Sequence, residues 1–128
     1  MDDDRRIEQN IKKILTECCG VQENENVLIL SDINQDQYIN DNIFEMVKEC
    51  GANPVIMVMP VSVPGKNLPH LINITSMESD LIIATTTTSV YHAEGLRKAC
   101  SEGKARLLTI SECNRNTFLD GGISAEFK

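Results

Sequence analysis

Four short apolar runs without polar alternation constrain the fold of this chain more than any other feature. They are NVLILSD (26–32), NPVIMVMP (53–60), DLIIATT (80–86) and ARLLTIS (105–111). A strand with one face in water alternates apolar and polar residues, whereas a strand covered on both faces reads as continuously apolar. Each pair of runs is separated by enough residues for a helix, so the order predicted is βαβαβαβ. Such an order calls for an α/β three-layer sandwich of the flavodoxin or Rossmann type, with at least four mostly parallel strands joined by right-handed crossovers.

The intervening segments carry helical spacing. Ile7, Ile11, Ile14, Leu15 and Cys18 share a stripe, preceded by acidic residues and followed by Gly20, which predicts a helix over 3–19. Ile39, Ile43, Val47 and Cys50, with Met46 alongside, predict a second helix that Gly51 ends. Pro64, Gly65 and Pro69 punctuate the next connection and leave room for one short helix from His70 to Met77. A fourth helix is expected over 90–102, with Gly103 after it. At about 100° per residue, Ser89, His92, Ala93, Leu96, Ala99 and Cys100 would share its inner face.

At 128 residues the chain suits one compact domain. The α/β domain is expected over 1–120. Residues 121–128, after the Gly121–Gly122 break, read as a linker or the start of another helix, so the chain reads as a fragment of a longer protein.

Net charge is −7, and the basic residues are scattered without a stripe, which argues against nucleic acid as a partner. No apolar stretch approaches the ~20 residues that span a bilayer, and the charged amino terminus is unlike a secretory signal. A cytoplasmic protein with no membrane partner is expected. Cys18, Cys19, Cys50, Cys100 and Cys113 form no CxxC and have no histidine at metal-ligand spacing, so reduced, mostly buried thiols are expected.

In an open parallel sheet, ligands bind beyond the carboxyl ends of the strands. The residues placed there are Ser31 and Asp32, Val61 and Ser62, the hydroxyl run Thr85 to Ser89, and Ser111 and Glu112. Neither GxGxxG nor GxxxxGK[ST] is present to cradle a phosphate. Within the hydroxyl run, Thr87, Ser89 and His92 are candidate substrate contacts, with Arg97 one turn further on. Each has a plainer reading. One of Thr87, Thr88 or Ser89 could cap the fourth helix, His92 could be half-buried against a hydroxyl, and Arg97 could be a solvated ion-pair partner. Asp32 could cap the second helix, and His70 follows a proline in a loop. No nucleophile elbow, HExxH or convergent set of metal ligands closes a catalytic centre within these residues.

The succession ENVLILSD, ECGANPVIMVMP, SDLIIATTTTSVYHAEGLRKACSEGKARLLTIS and FLDGGISAEF resembles the amino-terminal domain of the aminopeptidase T (leucyl aminopeptidase-like) metallopeptidases. The 2,5-dihydroxypyridine dioxygenases are similar to that family. The shared pattern is Thr87, Ser89, His92 and Arg97 followed by Gly103 to Arg106, with Ala93 where such proteins often carry threonine. The resemblance implies a metal-dependent hydrolase that removes amino-terminal residues from peptides with metal-activated water. It implies a carboxy-terminal domain as partner, which holds the divalent metal and the catalytic carboxylates, and no metal bound by these residues. His92 would then face the cleft between domains, towards a small peptide or other small-molecule substrate. A homodimer of the full protein stays open. The alternatives are the amino-terminal domain of a non-haem iron dioxygenase that cleaves a hydroxylated pyridine-type ring, and a non-enzymatic flavodoxin-like binding module.

Overall fold

A computed structural model of the chain describes residues 3–63, 66–110 and 125–127. Helix α1 (Asp3–Lys13) runs on into a π-helical segment, Ile14–Cys19, and is followed by β1 (Asn26–Asp32), α2 (Gln37–Glu49) and β2 (Asn53–Met59). Then come α3 (His70–Met77), β3 (Leu81–Ala84), α4 (Glu94–Ser101), β4 (Arg106–Ile110) and β5 (Ala125–Phe127). The five strands form one sheet in the order β2-β1-β3-β4-β5. The first three pairings are parallel, and β5 lies antiparallel to β4. The α/β class and the largely parallel sheet match the expectation from the apolar runs.

Side-chain alternation along the central strands builds two cores. Val27, Ile29, Leu81, Ile83, Leu108 and Ile110 point to one face and pack with Ile7, Ile11, Leu15, Ile39, Ile43 and Val47 from the first two helices. Leu28, Leu30, Ile82, Ala84 and Leu107 point to the other and pack with Ile72, Leu96 and Ala99 from α3 and α4. This double burial explains why the strands read as continuously apolar, and each fully buried Ile or Leu contributes about 1.5–3 kcal/mol. The α3–α4 contact is close, because a Cβ on Gly95 would lie 1.8 Å from Asn73 Oδ1. Only glycine fits there without displacing Asn73.

Several boundaries differ from expectation. Strand β2 is an edge strand rather than one buried on both faces, with Val55 and Val58 about half exposed. Strand order is a non-local property that an apolar run does not encode. The first helix covers its expected span but widens into the π turn, where Gly20 N–H bonds back to Leu15 O and Gly20 takes the left-handed conformation at φ +57°. Residues 125–127 are a strand, not the start of a helix, and they pair with the flank of β4. The expected turn or short helix after strand four, together with Ser111, Glu112 and Cys113, lies outside the described residues. Cys19 is buried, Cys50 and Cys100 are half-buried, and none of the three is in a disulfide. No helix among the described residues is long and apolar enough to cross a membrane.

The amino-terminal edge of the sheet is tied by Arg106. Its guanidinium donates to Glu25 Oε2 at 2.8 Å and Oε1 at 2.9 Å, and to Cys19 O at 3.2 Å. The last π-turn carbonyl, the β1 approach and the start of β4 therefore share one side chain. The hydrogen bonds from Arg106 hold the Glu25 carboxyl below its ordinary range, burial opposes them, and Gln22 N–H adds to the lowering. A carboxylate with a lowered folded-state pKa stabilises the fold above its unfolded value and loses that contribution as pH falls through the lowered one. Glu25→Gln is expected to cost about 1–2 kcal/mol near neutral pH. Urea melts of both proteins should converge in acid, where Glu25 is protonated in folded and unfolded states alike. An unchanged gap across that range would contradict the assignment.

Candidate functional site

The sheet changes direction at β1, since β2 lies on one side and β3 on the other. The carboxyl ends of β1 and β3 thus flank the topological switch point, where open α/β sheets usually leave a ligand crevice. Here that crevice is occupied by the protein's own polar side chains. Thr85 Oγ donates to Asn40 Oδ1 at 2.8 Å, and Asn40 Nδ2 donates to Ser31 Oγ at 2.9 Å. All three residues are essentially excluded from solvent. The relay joins β3, α2 and β1, and it satisfies groups that would each be costly to bury alone.

The rest of the threonine run is bonded in the same way. Asp32 Oδ2 accepts from Thr87 N at 2.7 Å and from Thr87 Oγ at 2.8 Å, while its Oδ1 accepts from Asn34 N at 3.1 Å. Gln35 Nε2 donates to Thr85 O. Thr86 Oγ donates to Thr88 O at 2.6 Å. Thr88 Oγ donates to Ser62 O at 3.0 Å and lies 2.9 Å from Ser62 Oγ. The four consecutive hydroxyls thus tie the segment after β3 to α2 through Thr85, to itself through Thr86, to β1 through Thr87 and to the loop after β2 through Thr88. Threonine suits this task because its branched Cβ favours extended backbone while its hydroxyl both donates and accepts.

These bonds explain why two expected caps are absent. Asp36, not Asp32, caps α2 by accepting from Tyr38 N at 3.0 Å, because Asp32 is committed to Thr87 and Asn34. Helix α4 begins at Glu94 rather than at residue 90, with Ala93 in an extended conformation at its N-cap and no side-chain cap. Thr87 and Thr88 have their hydroxyls engaged elsewhere, and residues 90–93 close a turn through Ala93 N to Val90 O at 2.9 Å.

His92 therefore stands on a turn before the helix, and both it and Ser89 are exposed instead of facing the core. Their exposure opens onto a cleft of about 390 Å³ beside the hydroxyl cluster. Ser62, Lys66 and Asn67 line one wall, and Ser89, His92 and Glu94 line the other, with Leu68 and Val90 among its apolar lining. The volume falls within the range of small-ligand sites. Tyr91 meets the His92 ring edge-on, with centroids 5.1 Å apart at 86°. A second, more open depression of about 550 Å³ between α3 and α4 shares Asn67, Leu68 and Glu94 with it.

Of the four candidate contacts, Ser89 and His92 come together in the cleft. Thr87 is bonded to Asp32, and Arg97 is exposed on α4 away from the lining. Lys66, Asn67 and Glu94 had no strong signal in the sequence beyond the turn-forming Pro64–Gly65 ahead of the first two. With one imidazole, one ammonium, one carboxylate, hydroxyls and an amide, the cleft can hydrogen-bond a small polar molecule on several sides. Among the described residues, no three His, Cys, Asp or Glu side chains come together to hold a metal.

No family model matches the chain, and no curated protein matches its sequence. Neither comparison supports the aminopeptidase side of the sequence resemblance. Among solved structures, the fold is similar to that of 2,5-dihydroxypyridine dioxygenase from Pseudomonas putida KT2440, with a TM-score of 0.64 at 13% identity. That likeness establishes the fold. It covers 79% of this chain and 33% of the dioxygenase chain, so these residues correspond to about a third of that neighbour's length.

The buried relay makes a direct prediction. Thr85→Val keeps the shape of the side chain but leaves Asn40 Oδ1 buried without its donor, at an expected cost of about 1–3 kcal/mol in urea unfolding. An unchanged midpoint would show that the relay does not hold the two strand ends together.

Proposed function

We propose that this chain is the α/β domain of a metal-dependent dioxygenase-like enzyme acting on a small hydroxylated ring, and that the Ser89–His92 turn forms one wall of its site. The observation that carries this reading is the His92 cleft, set at the carboxyl edge of the parallel sheet where such folds bind ligands. Its polar groups and apolar lining suit a ring that carries hydroxyl groups. The shared fold with a 2,5-dihydroxypyridine dioxygenase supports the ring-cleaving alternative over the peptidase.

In this reading the divalent ion would be held by the carboxy-terminal partner domain that the sequence resemblance implies. When bound, such an ion would supply the oxygen chemistry. The contribution of this domain is to bind and orient the ring. His92, exposed and on a turn, donates or accepts a hydrogen bond at a ring oxygen. Ser62, Ser89 and Asn67 offer further hydrogen bonds, and Leu68 and Val90 exclude water from the ring face.

A peptidase of the aminopeptidase T type is the second reading, favoured by the order of segments and by the Thr87, Ser89, His92, Arg97 pattern. The two differ in substrate, so assays of the full-length protein with divalent metal on a dihydroxypyridine and on an aminoacyl anilide separate them. Activity on neither would favour a binding module.

The role of His92 is tested by His92→Ala in the full-length protein. Turnover of whichever substrate is accepted is expected to fall by about tenfold to a hundredfold. The melting temperature should stay close to wild type, because an exposed turn residue fills no core volume. Unchanged turnover with a lower melting temperature would contradict the cleft assignment.

A further inference from the structure

Asp32 is a carboxylate 2% exposed at the end of β1, and both of its oxygens are occupied. All three donors, Thr87 N, Thr87 Oγ and Asn34 N, are neutral. Hydrogen bonds to an ionised acceptor are roughly twice as strong as neutral pairs. The strongest tether on the threonine run is thus at Thr87, five residues before His92. We propose that Asp32 is the positioning residue of the His92 cleft. By fixing both the backbone and the hydroxyl of Thr87, it sets where the 89–92 turn stands against the Ser62–Asn67 wall. The inference rests on the reading of that cleft as the site.

The geometry explains how one residue can have this effect. The last backbone bond from this segment to β1 is Thr85 N to Leu30 O at 2.9 Å, and beyond it residues 86–88 are held through side chains. Thr85 is bonded to Asn40 within the core and Thr88 to Ser62 on the opposite wall of the cleft. Thr87 lies between these two tethers. From Thr88 the chain turns outward through Ser89 to the Val90–Ala93 turn that carries His92. If Thr87 is released, one wall of the cleft moves relative to the other while both cores stay packed.

The same geometry excludes asparagine as a substitute. An Asn at position 32 would present one oxygen and one NH2 where two acceptors are needed. Whichever way it turned, its NH2 would face either the two donors of Thr87 or the N–H of Asn34. Thr87→Val removes one of the three bonds, and Thr87→Ser keeps all three.

His70 and His92 are the two histidines of this chain, so their imidazole signals, each assigned by substitution, make a direct test. His70 sits at the start of α3, away from the Asp32 contacts, and serves as an internal control. In two-dimensional NMR of the ligand-free full-length protein, Asp32→Asn is expected to shift or broaden the His92 imidazole signals and leave those of His70 in place. Thr87→Val should produce a smaller change of the same kind, and Thr87→Ser should restore the wild-type spectrum. If Asp32→Asn does not fold, the Thr87→Val and Thr87→Ser pair decides alone. An unmoved His92 signal in Thr87→Val and in any folded Asp32→Asn, even with a lower melting temperature, would overturn the proposal and leave Asp32 a purely structural contact. Because the readout needs no substrate, it is independent of the turnover test of His92→Ala. Failure of that assay would remove the proposed function without altering the outcome here.

Discussion

Burial of both faces of the central strands is the constraint on which the rest of this structure depends. Alternate residues of β1, β3 and β4 enter opposite cores. The strands therefore end abruptly, with no amphipathic fringe to pass gradually into solvent. Polar groups just past Leu30 and Ala84 are still inside the protein: Ser31 and Thr85 are fully buried, and Asp32 and Thr86 almost so. An unpaired polar group in such a place costs about 1–3 kcal/mol. The threonine run answers that demand with a hydroxyl at each of four successive positions.

The same answer determines where a ligand can bind. In many parallel sheets the switch point is an open crevice lined by glycine-rich turns. Here Asp32, Asn40 and the threonines fill it, which accounts for the absence of a phosphate-binding glycine loop. The cleft is displaced towards the β2 side, between the loop after β2 and the turn before α4. Ser62 on one wall is bonded to Thr88, which adjoins Ser89 on the other, so the two walls are joined. At the opposite edge of the sheet, Arg106 performs a comparable task by joining Cys19, Glu25 and β4. The Gly103 to Arg106 segment in the sequence pattern thus has a structural purpose distinct from the His92 cleft.

Much of the fold was legible in the sequence because its signals are local. The short helix His70–Met77 falls where the prolines place it, and α2 follows the spacing of Ile39, Ile43 and Val47. What was not legible depended on distant partners. Nothing in VIMVM distinguishes an edge strand from a central one. The helical angle that put His92 inward assumed that the helix began at residue 90. It begins at Glu94 because Thr87 and Thr88 bond to Asp32 and Ser62, residues 55 and 26 positions away in sequence. Asp32 and Asp36 are equally plausible caps by spacing, and only the contact with Thr87 decides between them. The sequence put His92 on the inner face of a helix, whereas it stands exposed on a turn that borders the cleft.

The central claim is that residues 86–88, beyond the last backbone bond to β1 at Thr85, are held as firmly as the strand itself by side chains. Native-state hydrogen exchange of the Thr87 amide measures this most directly, since that N–H bonds to the buried side-chain carboxylate of Asp32 and not to strand backbone. The account predicts protection close to that of the β3 amides. Exchange as fast as that of exposed loop amides such as Asn67 would contradict it.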